Sequence, residues 1–211
     1  VRVLAAQAAE AAGDSVAANH AYTAMLGFPE MRLAGLKGLM QTALQQNDRP
    51  TALRYAQEAY ALAKTSRWAW RALLEDRLEA GDWAQALDLV KGALDRKIVS
   101  PIVADRARAA LLAASAASLE GQAARALDFA QQSVKLKPDF TPAVVIAARL
   151  LTAEGKAQRA ASLIETAWKQ APHPALWLTY RDLKMAETPK ERALRLEGLA
   201  KLNAAHRESR I

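Results

Sequence analysis

The side chains that could do chemistry in this chain are few and scattered. The sequence contains three histidines and no cysteine, which excludes disulfides and thiolate metal sites. The histidines lie far apart, at positions 20, 173 and 206, and none is followed four residues later by a second metal-ligating residue. The sequence also has no phosphate-binding glycine loop and no nucleophile elbow. Two pairs of carboxylates have the spacing of helix-surface charges and capping groups: Glu75 with Asp76, and Glu187 with Glu191. The sequence therefore predicts a protein that is not an enzyme.

His173 is the histidine in the most constrained setting, because it lies between Pro172 and Pro174 at the start of a predicted helix. An imidazole placed there could ligate a haem iron or bond to a partner. The alternative is a polar residue that begins the helix. His173 is thus the candidate cofactor-binding residue, for haem or a porphyrin, and no metal site is predicted.

The chain is basic, with a formal net charge of +7 and an isoelectric point near 9.8. Such a balance favours anionic partners, for example an acidic protein, acidic lipid or nucleic acid. The charge is dispersed, however, and only Lys135 with Lys137 and Arg207 with Arg210 cluster loosely. Solvated helix surface is therefore the competing explanation.

The elements that position these side chains follow from a repeat. A glycine or asparagine followed by a polar residue recurs at spacings of 34, 34, 40 and 34 residues: Gly13-Asp14, Asn47-Asp48, Gly81-Asp82, Gly121-Gln122 and Gly155-Lys156. Glycine or asparagine can adopt the left-handed conformation that ends a helix, and aspartate can cap the amides of the next one. The period therefore predicts a row of helical hairpins.

The positions after each turn support this interpretation. Four residues after the second member of each pair stands an alanine, and eight after it a mostly apolar or small residue: Ala18, Ala52, Ala86, Ala126 and Ala160, then Tyr22, Ala56, Val90, Ala130 and Ile164. Pro138 and Pro172 follow two of the second helices, where proline ends a helix. These marks resemble the tetratricopeptide pattern. Trp70 and Leu73 fit its front positions, whereas Leu74 and Arg77 replace its glycine and tyrosine.

The predicted fold is all-α, a right-handed α-solenoid of about six hairpins that forms one domain over residues 1–211. Helices are expected near residues 2–12, 15–27, 31–46, 49–63, 67–80, 83–96, 101–119, 123–136, 141–153, 157–170, 174–186 and 189–202. The longer spacing is expected around Lys97 to Pro101, from a longer connection or from longer flanking helices.

The ends of the chain suggest a piece of a longer protein. Val1 falls inside a predicted helix, and residues 206–211 resemble the start of another. No stretch approaches the ~18–20 apolar residues of a membrane span, although an absent terminus could carry one.

A groove formed by the first helix of each hairpin is the expected partner-binding surface. Four basic residues fall at groove-facing positions: Lys37, Arg71, Arg108 and Arg149. Trp68 is expected on the same surface, where an aromatic ring could anchor a peptide, or half-buried against the second repeat. The other tryptophans, at positions 70, 83, 168 and 177, are expected in the core. The groove would attract an acidic segment or porphyrin propionates, unless each cation pairs with a neighbour, as Arg71 could with Glu75.

Several runs in order resemble the tetratricopeptide region of the proteobacterial HemY proteins: Leu33 to Leu39, Asn47-Asp48, Gly81 to Trp83, Lys135 to Asp139, Gly155, Ala167-Trp168, Pro172 to Pro174, and His206 to Arg210. The resemblance implies an inner-membrane parent protein with two N-terminal membrane helices before this soluble domain. We expect the domain on the cytoplasmic side. It also implies a role in late haem or protoporphyrin synthesis, without supplying catalytic residues.

The resulting hypothesis is a non-enzymatic scaffold that holds late haem-pathway proteins, such as ferrochelatase, or their porphyrin intermediates. A general peptide-binding adaptor is the alternative. Base-by-base RNA recognition is disfavoured because Lys37, Arg71, Leu111 and Val145 follow no repeated polar code. A chaperone-type carboxylate clamp is disfavoured because Gln41, Trp68 and Ala72 replace its asparagine, lysine and arginine. No nucleic acid partner is expected.

Overall fold

The computed structural model describes residues 2–183 and 185–209. The regular structure of these residues consists of twelve α-helices and one 3-10 turn. Six helices lie before Ser100: α1 Arg2–Ala11, α2 Ser15–Met25, α3 Pro29–Gln45, α4 Arg49–Leu62, α5 Arg67–Glu79 and α6 Trp83–Asp95. Six more follow, and the 3-10 turn comes last: α7 Pro101–Ser118, α8 Ala123–Leu136, α9 Thr141–Ala153, α10 Ala157–Gln170, α11 Pro174–Arg181, α12 Pro189–Lys201 and Arg207–Ser209.

These helices form two compact units, divided between Ser100 and Pro101. Within each unit, successive helices pack on one another as hairpins, in which odd-numbered helices are the first and even-numbered helices the second. In the second unit α9 also contacts both α7 and α11. The prediction of an all-α array of hairpins is confirmed in each unit, whereas the single domain stays a prediction.

The turns have the predicted geometry. All five predicted turn residues have positive φ, namely Gly13, Asn47, Gly81, Gly121 and Gly155. The three aspartates cap as expected: Asp14 accepts from the amide of Ala17 at 2.9 Å, Asp48 from Thr51 at 3.1 Å and Asp82 from Gln85 at 3.1 Å. No side chain caps α8 or α10, whose preceding residues are glutamine and lysine.

The small residues of the repeat are buried, as predicted. All five alanines four residues after the turns are buried, and so are the five residues one helical turn further on. The helices before the two marker prolines end at Leu136 and Gln170. The register derived from the repeat is therefore correct along both units.

Two glycines inside α3 bring that helix close to α2, a contact that the repeat does not predict. A Cβ built on Gly38 would lie 2.3 Å from ring atoms of Tyr22, and one built on Gly35 would lie 2.8 Å from the Tyr22 carbonyl oxygen. Tyr22 is buried. Since α2 and α3 belong to different hairpins, these glycines determine how closely neighbouring hairpins approach.

The longer spacing has the second of its two predicted causes, a longer flanking helix. The 40-residue spacing arises mainly because α7 has 18 residues where α9 has 13. Lys97 adds a left-handed residue, with φ of 57°, that the sequence did not predict.

Some predicted boundaries were wrong. Helix α11 ends at Arg181 rather than near residue 186, and Arg195 of α12 donates to the carbonyl of Tyr180 in its last turn at 2.6 Å. Of the predicted terminal helix, only the 3-10 turn is described, and residues 210–211 lie outside the described part.

The tryptophans divide into buried and half-buried groups. Trp168 is fully buried, its ring centroid 6.3 Å from that of Trp177. Trp70 and Trp83 are half-buried, and the indole N–H of Trp70 donates to the Leu89 carbonyl at 3.0 Å. Core packing was therefore predicted correctly for Trp168 and only in part for the others.

Candidate partner-binding clefts

Open clefts lie between successive first helices, at equivalent repeat positions in both units. We call them first-helix clefts. In the first unit the cleft lies between α3 and α5 above the start of α4, with a volume of about 310 Å³. In the second unit the equivalent cleft lies between α7 and α9 above the start of α8, with about 370 Å³. A smaller one of about 160 Å³ lies between α9 and α11. The repeat therefore builds the same kind of site more than once.

The first-unit cleft has an apolar floor and a charged wall. Met40, Leu44 and Leu53 supply the apolar surface, and the side chain of Leu44 is 50% exposed. Leu78, which is 39% exposed, has the same repeat position on α5 as Leu44 has on α3. Leu44 and Leu78 thus leave apolar surface exposed at the same position of two successive first helices.

The charges around this cleft are paired with one another. Arg71 donates to Glu75 at 2.7 Å, Arg77 lies 2.7 Å from Asp76, and Arg49 forms an ion pair with Glu79. The hydrogen bond with Glu75 raises the pKa of Arg71, so the guanidinium stays charged. These pairs leave little net charge on the wall, and the apolar floor is its distinctive chemical feature.

In the second unit Arg149 borders both first-helix clefts. It lines the larger one with Ile146 and Leu150, and the smaller one with Leu178 and Asp182. The pKa of Asp182 is held below its usual range chiefly by hydrogen bonds from Arg181, with a weaker contribution from Arg149. Arg149 is exposed and faces solvent over an apolar surface.

The five predicted groove residues occupy different settings. Lys37 is exposed on α3, and Arg71 is exposed in its pair with Glu75. Trp68 is half-buried against the core of the first unit, as the second of its two predicted settings requires. Arg108 lies 3.5 Å from Asp105, one turn away. Lys37 and Arg71 belong to the first unit and the other two arginines to the second, so the four-residue basic stripe stays a prediction.

His173 acts in the structure as the residue that begins α11. Its Nδ1 accepts a hydrogen bond from the amide of Ala175 at 3.1 Å, and its side chain is exposed. The alternative role at a helix start is therefore present. Haem ligation would have to use Nε2, and it stays a prediction. Among the described residues, no group of three or more histidine or acidic side chains is arranged to hold a metal ion.

A polar network that sequence reasoning missed joins α10, α11 and α12. Arg195 binds Glu187 through two nitrogens, at 2.6 and 2.8 Å, and its guanidinium lies over the Tyr180 ring at 4.7 Å. Tyr180 in turn donates to Glu165 at 2.6 Å. Burial raises the pKa of Tyr180, and the bond to Glu165 adds to that effect. The network holds α12 against α11, and α11 against α10.

This network predicts acid sensitivity. Hydrogen bonds from Arg195, supported by Arg192, lower the pKa of Glu187 from 4.5 to about 2. Since the folded-state pKa is depressed, the stabilisation is complete above about pH 4.5 and is lost as the pH falls towards 2. We expect Glu187→Gln to lower the melting temperature at pH 7 and the difference from the native chain to shrink through that window. Calorimetry over pH 2–7 measures it, and a constant difference would contradict the ion-pair interpretation.

Comparison with known proteins identifies the repeat in the second unit. Residues 117–183 match the family model described as tetratricopeptide repeat. No protein of curated function matches the chain. The crystal structure of YrrB, described as a TPR protein with an unusual peptide-binding site, is 17% identical with a TM-score of 0.47, covering 89% of this chain and 95% of that one. Two structures of MamA are 18% and 17% identical, with TM-scores of 0.43 and 0.44, and cover 77% and 89% of this chain and 91% and 96% of theirs.

No helix in the described residues combines the length and apolar character that crossing a bilayer requires. The described residues thus form an array of helical hairpins, of which residues 117–183 match the tetratricopeptide repeat model.

Proposed function

We propose that this chain is a non-enzymatic scaffold that receives segments of a partner protein in its first-helix clefts. The observation that carries the proposal is the recurrence of one open, apolar-floored cleft at equivalent repeat positions of both units. A repeated cleft suits an extended partner segment that places successive side chains in successive sites.

Magnitudes favour apolar contacts over charge as the source of affinity. Burying one leucine side chain contributes about 1.5–3 kcal/mol, whereas an exposed ion pair contributes about 0–1 kcal/mol. Arg71 and Arg108 are already engaged by Glu75 and Asp105. Leu44, which lines the cleft and is half-exposed, is therefore the anchor we propose in the first unit. Lys37 and Arg149 contribute long-range attraction of an acidic partner and faster association.

We further propose late haem synthesis as the pathway, with ferrochelatase or another late enzyme as the partner protein. This part rests on the resemblance to the HemY proteins, which also suggests an inner-membrane parent with this domain on the cytoplasmic side. A porphyrin could bind directly through its propionates at Arg149, or through its iron, as haem, at Nε2 of His173. The alternative is a general peptide-binding adaptor, which needs the clefts alone and no particular pathway.

The test is affinity capture with the membrane-tethered parent protein, followed by identification of bound proteins and pigments. We expect Leu44→Gln to reduce partner recovery at least about tenfold, the equivalent of about 1.4 kcal/mol. Leu62→Gln is the matched control, because Leu62 is 50% exposed on a second helix of the same unit. Recovery should be unchanged in that variant.

Three results would count against the proposal. Equal losses in Leu44→Gln and in Leu62→Gln would place recognition elsewhere. Recovery dominated by RNA would exclude the protein scaffold. Recovery of a cleft-dependent partner outside haem synthesis would retain the adaptor and remove the pathway.

A further inference from the structure

A separate cleft lies on the other side of the first unit, between the second helices α4 and α6 above α5. We call it the second-helix cleft. Its volume is about 550 Å³, the largest of the clefts described in that unit, and none of its lining residues lines a first-helix cleft. It therefore gives the first unit a second recess, which is independent of the proposed function.

Gly92 forms a notch in the wall of this cleft. It lies inside α6, where glycine destabilises a helix by roughly 0.5–1 kcal/mol relative to alanine. Its φ is not in the left-handed region, so the backbone does not require glycine. A Cβ there would lie 2.5 Å from a terminal nitrogen of Arg96 and 3.9 Å from the Tyr60 hydroxyl. The missing side chain thus lets the Arg96 guanidinium fold into the cleft beside Tyr60.

Cations gather at the end of the cleft where α4 and α6 terminate. Arg96 lines the cleft and donates one N–H to the Gly92 carbonyl at 2.8 Å, which holds the guanidinium in place and leaves four of its five N–H donors for a ligand. The ammonium of Lys64 lies over the Tyr60 ring, 4.5 Å from its centroid. Lys91 also lines the cleft. Arg96 and Lys64 are thus held by a carbonyl and a ring rather than by carboxylates.

The remaining charges set the strength of the site. Arg77 also lines the cleft but pairs with Asp76 and Asp82. Asp88 and Asp95 line it as well, on the same helix as Lys91. The lining therefore has a moderate excess of positive charge, which suits single carboxylates better than a dianionic phosphate.

We propose that the second-helix cleft binds an acidic segment of a partner protein. Arg96 grips one side-chain carboxylate, and Lys64 and Lys91 attract its neighbours. Charge complementarity selects this occupant, because a guanidinium with free donors pairs with carboxylate in two-bond geometry. Gly92 is then kept in the helix because it positions the arginine.

The experiment uses the 211-residue chain and a fluorescently labelled hexaglutamate peptide, with binding followed by anisotropy. We expect Lys64→Gln with Arg96→Gln to weaken binding about tenfold or more. Gly92→Ala should weaken it several-fold while the melting temperature stays the same or rises, because only the flexible end of Arg96 must move. The control Arg32→Gln with Arg67→Gln removes the same charge from exposed positions of α3 and α5 that line no cleft, and it should leave the affinity within twofold.

Two outcomes would overturn the assignment. If the first-helix control weakens binding as much as the cleft variants do, the peptide senses net charge rather than this cleft. If inorganic phosphate displaces the peptide and acetate of equal ionic strength does not, the site is a phosphate site. Either outcome leaves the leucine-dependent capture unaffected, so failure here is distinguishable from failure of the proposed function.

Discussion

Gly38→Ala is expected to destabilise the first unit by about 1–3 kcal/mol, although alanine is the better helix former by roughly 0.5–1 kcal/mol. The reason is the Tyr22 ring, which lies 2.3 Å from where the new Cβ would be. Unlike the end of a long side chain, a buried ring has little freedom to move away. The α2 and α3 helices would have to separate, and contacts along the hairpin interface would be lost.

Gly198→Ala is the matched control, because Gly198 is an exposed glycine inside α12 with nothing within 4 Å of a built Cβ. It should stabilise the chain slightly. Urea unfolding of both variants gives the free energies. Opposite signs are expected, and a stabilising Gly38→Ala would show that the α2–α3 approach is looser than described. Combining Gly38→Ala with Tyr22→Leu should recover part of the loss, which tests the contact directly.

Ala86→Leu is expected to cost about 1–3 kcal/mol, since Ala86 is fully buried in α6 and extra atoms overpack a close crossing. Ala84→Leu makes the same change two residues earlier on the exposed side of that helix. Its effect should stay within about 0.5 kcal/mol. Thermal unfolding compares the two, and an unchanged melting temperature for Ala86→Leu would show that the register of the third hairpin is wrong.

The regular features of the fold were predictable because they are local. A left-handed glycine, the aspartate after it and the small residue four further on act within one turn of chain, and each was located from its spacing. The bounds of α8, α9 and α10 agree with the predictions to the residue. Local chemistry decides where such helices begin and end.

Features that depend on distant partners were not predictable. The last turn of α11 is bonded to Arg195, fifteen residues beyond the carbonyl that it binds. The need for glycine at position 38 depends on the Tyr22 ring, which belongs to another hairpin. In the sequence, Gly38 was informative only as part of Leu33 to Leu39, a segment that resembles the HemY proteins. Nothing in the spacing of Lys64, Gly92 and Arg96 indicates that they share a cleft.

The sequence placed the candidate site on the first helix of each hairpin. The first helices do carry open clefts, and Arg149 lines two of them. The pairing of Arg71 with Glu75, stated from their four-residue spacing as the alternative, is present, and the binding role of the basic residues stays a prediction. The exposed leucines were overlooked, since leucine at one position per helix is indistinguishable in sequence from a core residue.

The pattern of helix contacts has a consequence for how the chain reaches its native state. Within each unit, the helices make their extensive contacts with neighbours one or two helices away along the chain, so most native contacts join residues that are close in sequence. Low contact order of this kind is associated with folding in microseconds to milliseconds. No long loop has to close before contacts form, and a hairpin can nucleate and recruit its neighbour from either side. Newly synthesised hairpins can therefore begin to fold before the rest of the chain has been made.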